Sequence, residues 1–186
     1  MTQVSLRSSA TTIPTTATPT KPAIQASEMR NYIVSGLTTL APIYTDLREY
    51  VASRNYVGMD LSSRNLINAA DKEMVRIGQD GKSQSAKNHI RDGLSKADQV
   101  LYDKYAHYLQ HIKDLGTNVQ AVAQLRNNNR LAFEKMNPAE IFFDVVRADR
   151  LSQSQIRSLF DSCELYNTDC GENSPHATAL KRAFVY

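Results

Sequence analysis

Residues 86–115 read AKNHIRDGLSKADQVLYDKYAHYLQHIKDL. Ala86, Ile90, Leu94, Ala97, Leu101, Tyr105, Tyr108, Ile112 and Leu115 recur at steps of three and four. That spacing lays one apolar stripe along a helix surface and leaves the remaining faces polar. A stripe maintained for about 30 residues predicts roughly 45 Å of helix. Ser83 or Ser85 is the expected cap, and Gly116 is expected to stop the helix, with Thr117 capping the next.

The same period appears on either side. Met29, Ile33, Leu37, Leu40, Tyr44, Leu47 and Val51 predict a first helix from Ser27 to about Ser53, which Pro42 should kink or split. Leu66, Ile67, Ala70, Met74 and Ile77 predict a second helix that begins at Asp60 or Ser62. Gly78 and Gly81 suit its C-terminal turn. A fourth helix is expected over 118–135, with Asn127-Asn128-Asn129 favouring a break, because asparagine side chains compete for backbone groups. Asn137-Pro138-Ala139-Glu140 reads as a helix start leading into Ile141, Phe142, Val145 and Val146. Ser152-Gln153-Ser154-Gln155 reads as another, leading into Ile156, Leu159, Phe160 and Cys163. Ser174-Pro175 opens a last helix carrying Ala179, Leu180, Ala183 and Phe184. Strand alternation is absent. The expectation is an all-α chain: a bundle of three or four longer helices, a C-terminal cluster of short ones and an extended N-terminal arm.

The arm is a compositional block. Residues 1–27 are rich in Thr, Ala and Pro, contain Arg7 and Lys21, and have no acid. They have no hydrophobic period, so they are read as a flexible or extended arm before a single helical domain over 28–186. Within that domain, 28–116 is expected to form the long-helix core and 117–186 the shorter helices. The hydroxyl-rich arm also fits an organelle transit segment, although it lacks an amphipathic pattern. Of the 22 basic residues, 20 face all 19 acids in the body, so most of the formal charge of +3 belongs to the arm. A nearly neutral body has no net field to gather nucleic acid. No run approaches the ~18 apolar residues of a membrane helix, so a soluble, intracellular protein without membrane insertion is expected.

Chemistry-bearing patterns are sparse. His107 and His111 stand four apart, a spacing that can reach one metal ion, but no third ligand is near in sequence. Their stripe, with Lys104 and Asp114, lies off the apolar face and reads as wet. His89 and His176 are isolated. Cys163 and Cys170 are either two free thiols or a small local disulfide. No phosphate loop or nucleophile elbow is present, and Asn167-Thr168-Asp169-Cys170-Gly171 lacks the carboxylate spacing of a calcium loop. The reading is therefore non-enzymatic, with no catalytic, metal or cofactor residue assigned. Two sets remain as candidates. Tyr102, Tyr105 and Tyr108 form either a core edge or a partner-binding interface. Arg126, Arg130, Arg147 and Arg150, with Arg157, are candidates for RNA or phosphate contact, with Glu140, Asp144 and Asp149 interspersed.

Two likenesses bear on function. Asn31-Tyr32, Asp46-Leu47 and Asn55-Tyr56-Val57 have a spacing that resembles the start of the small four-helix extrinsic subunits of photosystem II, which implies an extrinsic subunit of a larger complex. A Thr/Pro/Ala-rich arm before a helical body resembles, in architecture, some filamentous-virus coat proteins, which implies a virion subunit meeting RNA through arginines. The expected function is a structural subunit that packs with other protein subunits, including copies of itself. The coat or nucleocapsid protein and the extrinsic subunit are the alternatives.

Overall fold

In the computed structural model, the described residues are 26–79, 90–163, 180 and 182–184. Among them every regular element is a helix, as the sequence periodicity implies. The order is α1 (Ala26–Ala52), α2 (Tyr56–Arg76), α3 (Lys96–Asn128), α4 (Arg130–Phe133), α5 (Pro138–Ile141) and α6 (Phe143–Ser162). Residues 90–92, 180 and 182–184 are also helical. No described helix is long and apolar enough to cross a membrane. The arm up to residue 25, the caps proposed at Ser83 and Ser85, Gly81, His89, the 167–173 loop with Cys170, and Ser174 to Ala179 with His176 lie outside the described residues.

Cross-helix contacts fix the topology. The Ile43 carbonyl meets the Ser62 hydroxyl at 3.3 Å, and the Tyr32 carbonyl meets Arg76 at 2.6 Å, so α1 and α2 are antiparallel. Tyr102 reaches the Ile77 carbonyl and Tyr105 reaches Glu73, each at 2.9 Å, while Gly116 lies against Ser63 and Ile67. These contacts reverse α3 on α2. Lys104 meets Ser162 at 2.5 Å and Asn118 meets the Asp144 carbonyl at 3.4 Å, which reverses α6 on α3. Tyr44 meets Asp149 at 2.8 Å, so α6 runs back along α1. The result is an up-down-up-down four-helix bundle, with the short α4 and α5 carrying the chain from α3 to α6.

The core follows the stripes. Met29, Ile33, Leu37, Leu40, Tyr44 and Leu47 of α1 are all buried. Burying one such side chain stabilises by roughly 1.5–3 kcal/mol, and together they outweigh the ~3 kcal/mol cost of a mid-helix proline. Accordingly α1 is not split at Pro42. Pro42 and Thr38 both face solvent, so water can reach the carbonyl that the proline leaves without a donor.

Other boundaries move for local reasons. Helix α2 begins at Tyr56, several residues earlier than the apolar stripe suggests, because the Asn55 side chain accepts the Gly58 amide at 3.1 Å. Arg54 makes the preceding turn in the left-handed region at φ 54°. The far end of α2 closes as expected at Gly78, which has φ 81°. Its amide donates to Val75 and that of Gln79 to Met74, a Schellman pattern. The long stripe is broken at its start: Ser95 caps α3 by accepting the Asp98 amide, and an Arg91–Asp103 fork with both distances 2.8 Å ties the 90–92 turn to it.

Gly116 does not end the helix. Helix α3 continues through it to Asn128, so the expected division between 116 and 117 falls inside the longest element. The glycine is there for contact: a Cβ would stand 2.8 Å from Ile67 and 3.3 Å from the Ser63 carbonyl on α2. The break comes instead at Asn129, whose side chain accepts the Ala132 amide. Asn137 caps α5 with Pro138 next, as the sequence suggests. Ser152 to Gln155 start no new helix. They lie within the 20 residues of α6, where Ser152 is buried and its hydroxyl donates back to the Asp149 carbonyl. The expected apolar face there is also revised: Val145 is buried, but Val146 is 47% exposed.

Helices α1 and α6 pack less directly on each other than the other neighbouring pairs. Phe184 fills the space between them, stacked on Tyr44 at 5.3 Å and edge-on to Tyr108 at 6.1 Å and Phe160 at 6.4 Å. Leu180 is buried beside it, as its stripe position implies.

A second glycine tests the packing. A Cβ at Gly36 of α1 would collide with the Tyr105 hydroxyl and the Glu73 carboxylate and lie 2.9 Å from the Arg76 guanidinium. Those groups are hydrogen-bonded to one another and cannot simply move aside. In an ordinary exposed helix Gly→Ala gains about 1 kcal/mol. Here Gly36→Ala is expected to lose about 1–3 kcal/mol in urea unfolding, an overpacking cost; a gain would contradict this packing.

Candidate functional site

The tyrosines of α3 lie inside the bundle. Tyr102, Tyr105 and Tyr108 are all buried in the bundle, which favours the core alternative over the interface one. Tyr105 belongs to a polar lock across α1, α2 and α3 with Glu73, Arg76 and the Tyr32 carbonyl. Tyr105 donates to Glu73, and Arg76 donates to the same carboxylate at 2.9 Å and 2.5 Å. Arg76 also donates to the Tyr32 carbonyl and lies 4.1 Å over the Tyr32 ring. Burial opposes the Arg76 charge, but the hydrogen bond and charge of Glu73 outweigh it and raise the guanidinium pKa. Burial, then the Glu73 charge, pushes the Tyr105 hydroxyl well above its usual range. All three hydrogen bonds converge on one oxygen, Oε2, of the Glu73 carboxylate, and a phenol this hard to ionise makes a poor acid or base at neutral pH.

A second polar group joins α1 to α6. Tyr44 donates to Asp149 at 2.8 Å and accepts from Gln153 at 2.5 Å. Burial raises its pKa, and the Asp149 charge adds to the effect. Tyr108 differs: its hydroxyl is fully buried and has no hydrogen-bond partner.

The candidate arginines are spread over two faces. Arg126 is half-buried with its guanidinium 5.1 Å over the Tyr56 ring. Arg130 is exposed and paired with Glu134 at 2.7 Å. Arg147 and Arg150 are exposed on α6, one residue before and two residues after the buried Ala148. Arg150 lines a cavity facing α1 and Arg147 does not. Exposed Glu134, Glu140 and Asp144 lie among them, so the set is not an acid-free basic track.

Sequence reasoning missed what surrounds these arginines. Val57 is 73% exposed, Leu61 61%, Leu131 75% and Phe143 63%. They sit on the first turns of α2, on α4 and at the start of α6, all toward the end of the bundle where Arg54 covers the Phe142 ring and Tyr56 meets Phe133 edge-on. The sequence places Val146 on the apolar face that follows Asn137-Pro138, and Leu131 stands just beyond the α3 stripe. The signal that separates them is amphipathic phase: Leu131 follows the Asn129 break, which resets the stripe of α3.

The remaining candidates carry little chemistry. His107 is exposed and His111 half-buried, and no group of three or more potential metal ligands forms among the described residues. Lys104 of the same stripe is turned onto α6 rather than left in water. Cys163 is a free, buried thiol whose pKa burial pushes up to about 11, so it is a poor nucleophile. Cavities among the described residues include an apolar one of 240 Å³ between α1, α3 and α6, a polar groove of 530 Å³ along α6, and one of 400 Å³ between α1 at Pro42 and Leu180.

No family model, no curated protein and no solved structure matches the chain.

The unpartnered Tyr108 hydroxyl gives a sharp test of the core. Leaving a buried polar group unpaired costs about 1–3 kcal/mol. Tyr108→Phe is therefore expected to keep or raise the thermal midpoint; a loss of more than about 1 kcal/mol would show that the hydroxyl is bonded after all.

Proposed function

We propose that the protein is a non-enzymatic helical subunit that assembles with other protein subunits, including copies of itself, through one end of the bundle. The observation that carries this reading is that four of the six described large apolar residues more than half exposed, Val57, Leu61, Leu131 and Phe143, lie toward the α2 and α6 starts, whereas Val75 and Val100 lie toward the other end. Scattered single apolar residues are ordinary on a surface, whereas a group on one end leaves apolar area that a partner would cover. Arg54, Arg126 and Arg130 border the group, and arginine over or beside aromatic rings is common at interfaces.

A coat or nucleocapsid role, in a virion, is the second reading. Arg126, Arg130 and Arg147 stand near the same end and would meet RNA phosphates once subunits stack. The interspersed acids weigh against tight binding by a single subunit.

Light scattering after size exclusion, over a range of concentrations and salt, separates these readings. Association that rises with concentration is expected, and Leu131→Ser with Phe143→Ser should return a monomer with unchanged helical circular dichroism. A monomer at every concentration would overturn self-assembly. Co-purified RNA raises the 260/280 nm absorbance ratio and supports the coat reading. The absence of Trp lowers the protein's own 280 nm absorbance and makes the change easy to see.

A further inference from the structure

The bundle is closed by direct helix packing on three sides and by Phe184 on the fourth, between α1 and α6. Beside that closure a cleft of 240 Å³ remains. Leu47 and Val51 of α1, Leu115 and Val119 of α3, and Val145 and Val146 of α6 make its apolar lining. Its charged members are Arg48, Asp149 and Arg150, and they are not equivalent. Asp149 is engaged inward by the Tyr44 hydroxyl. Arg48 lies 5.7 Å over the Tyr44 ring. Arg150 is exposed and forms no ion pair among the described residues. Asp149 and Arg150 both also border the polar groove along α6, so this pair marks where the apolar cleft opens into a wet one.

An apolar pocket with one uncommitted guanidinium at its mouth is complementary to an apolar body bearing a single carboxylate. Pockets between bundle helices are common ligand sites. At 240 Å³ the cleft falls just below the range of pockets that hold drug-sized ligands, so it suits a small one. We propose that this cleft binds a small amphipathic carboxylate of the medium-chain fatty-acid class, with its chain on the valines and leucines and its carboxylate on Arg150. The site shares no residue with the Leu131 and Phe143 end, so its failure would leave the assembly reading standing.

Octanoate and octanol, titrated calorimetrically into the full chain, test the proposal. Saturable binding at one site is expected, with octanoate tighter than octanol by about tenfold or more, the worth of a charge-assisted pair. Arg150→Gln should bring octanoate down to the level of octanol. Val146→Trp, at a half-exposed position that the fold can accommodate, should fill the cleft and abolish binding of both, with the circular dichroism unchanged. Non-saturable uptake, or binding that either variant leaves unchanged, would overturn it.

Discussion

The rest of the structure depends on one buried charge. Glu73 lies near the C-terminal end of α2 with almost no access to water, and a carboxylate there is tolerable only if its oxygens are paired. Arg76 from the next turn and Tyr105 from α3 both donate to it, and Arg76 reaches on to the backbone of α1 at Tyr32. The group therefore joins three helices at one point. It also explains Gly36: α1 can approach the lock only where no Cβ intervenes. Apolar stripes bring helices together in several neighbouring registers, whereas a satisfied ion pair accepts one. In this account the lock fixes how far α1 slides along α2 and α3.

The opposite side of the bundle is held more loosely, and there the chain has spare surface. Helices α1 and α6 meet through Tyr44, Asp149 and Gln153 and through the inserted Phe184, with cavities on either side. The lock sets the position of α1, and Tyr44 on that helix then positions Asp149. The geometry of the cleft is thus downstream of the packing around Gly36. The apolar end of the bundle has a different origin. The Asn129 and Asn137 caps turn the chain twice within a few residues, and the turns leave Leu131 and Phe143 facing outward.

Much of the fold was legible because helical burial writes itself into spacing. The α1 stripe is buried at every position from Met29 to Leu47, and Ile156, Leu159 and Phe160 follow their pattern. Boundaries were less legible where one residue type serves two purposes. Glycine ends helices, as Gly78 does, but it also admits a neighbouring helix, as Gly116 and Gly36 do, and only the partner surface distinguishes the cases. Serine and glutamine at 152–155 resemble a cap, yet Ser152 satisfies itself on its own helix. The site was least legible. A tyrosine stripe looks the same whether its hydroxyls reach water or a buried carboxylate. Arginines from separate elements show no common spacing even when folding brings some of them together.

The lock is tested most directly by a double-mutant cycle on Glu73 and Tyr105, with unfolding free energies measured for Glu73→Gln, Tyr105→Phe and the pair. A hydrogen-bonded buried pair predicts a coupling of about 1 kcal/mol or more, with the double variant less destabilised than the sum of the singles. Costs that add within about 0.5 kcal/mol would contradict the account, because Glu73 and Tyr105 would then stabilise the bundle independently.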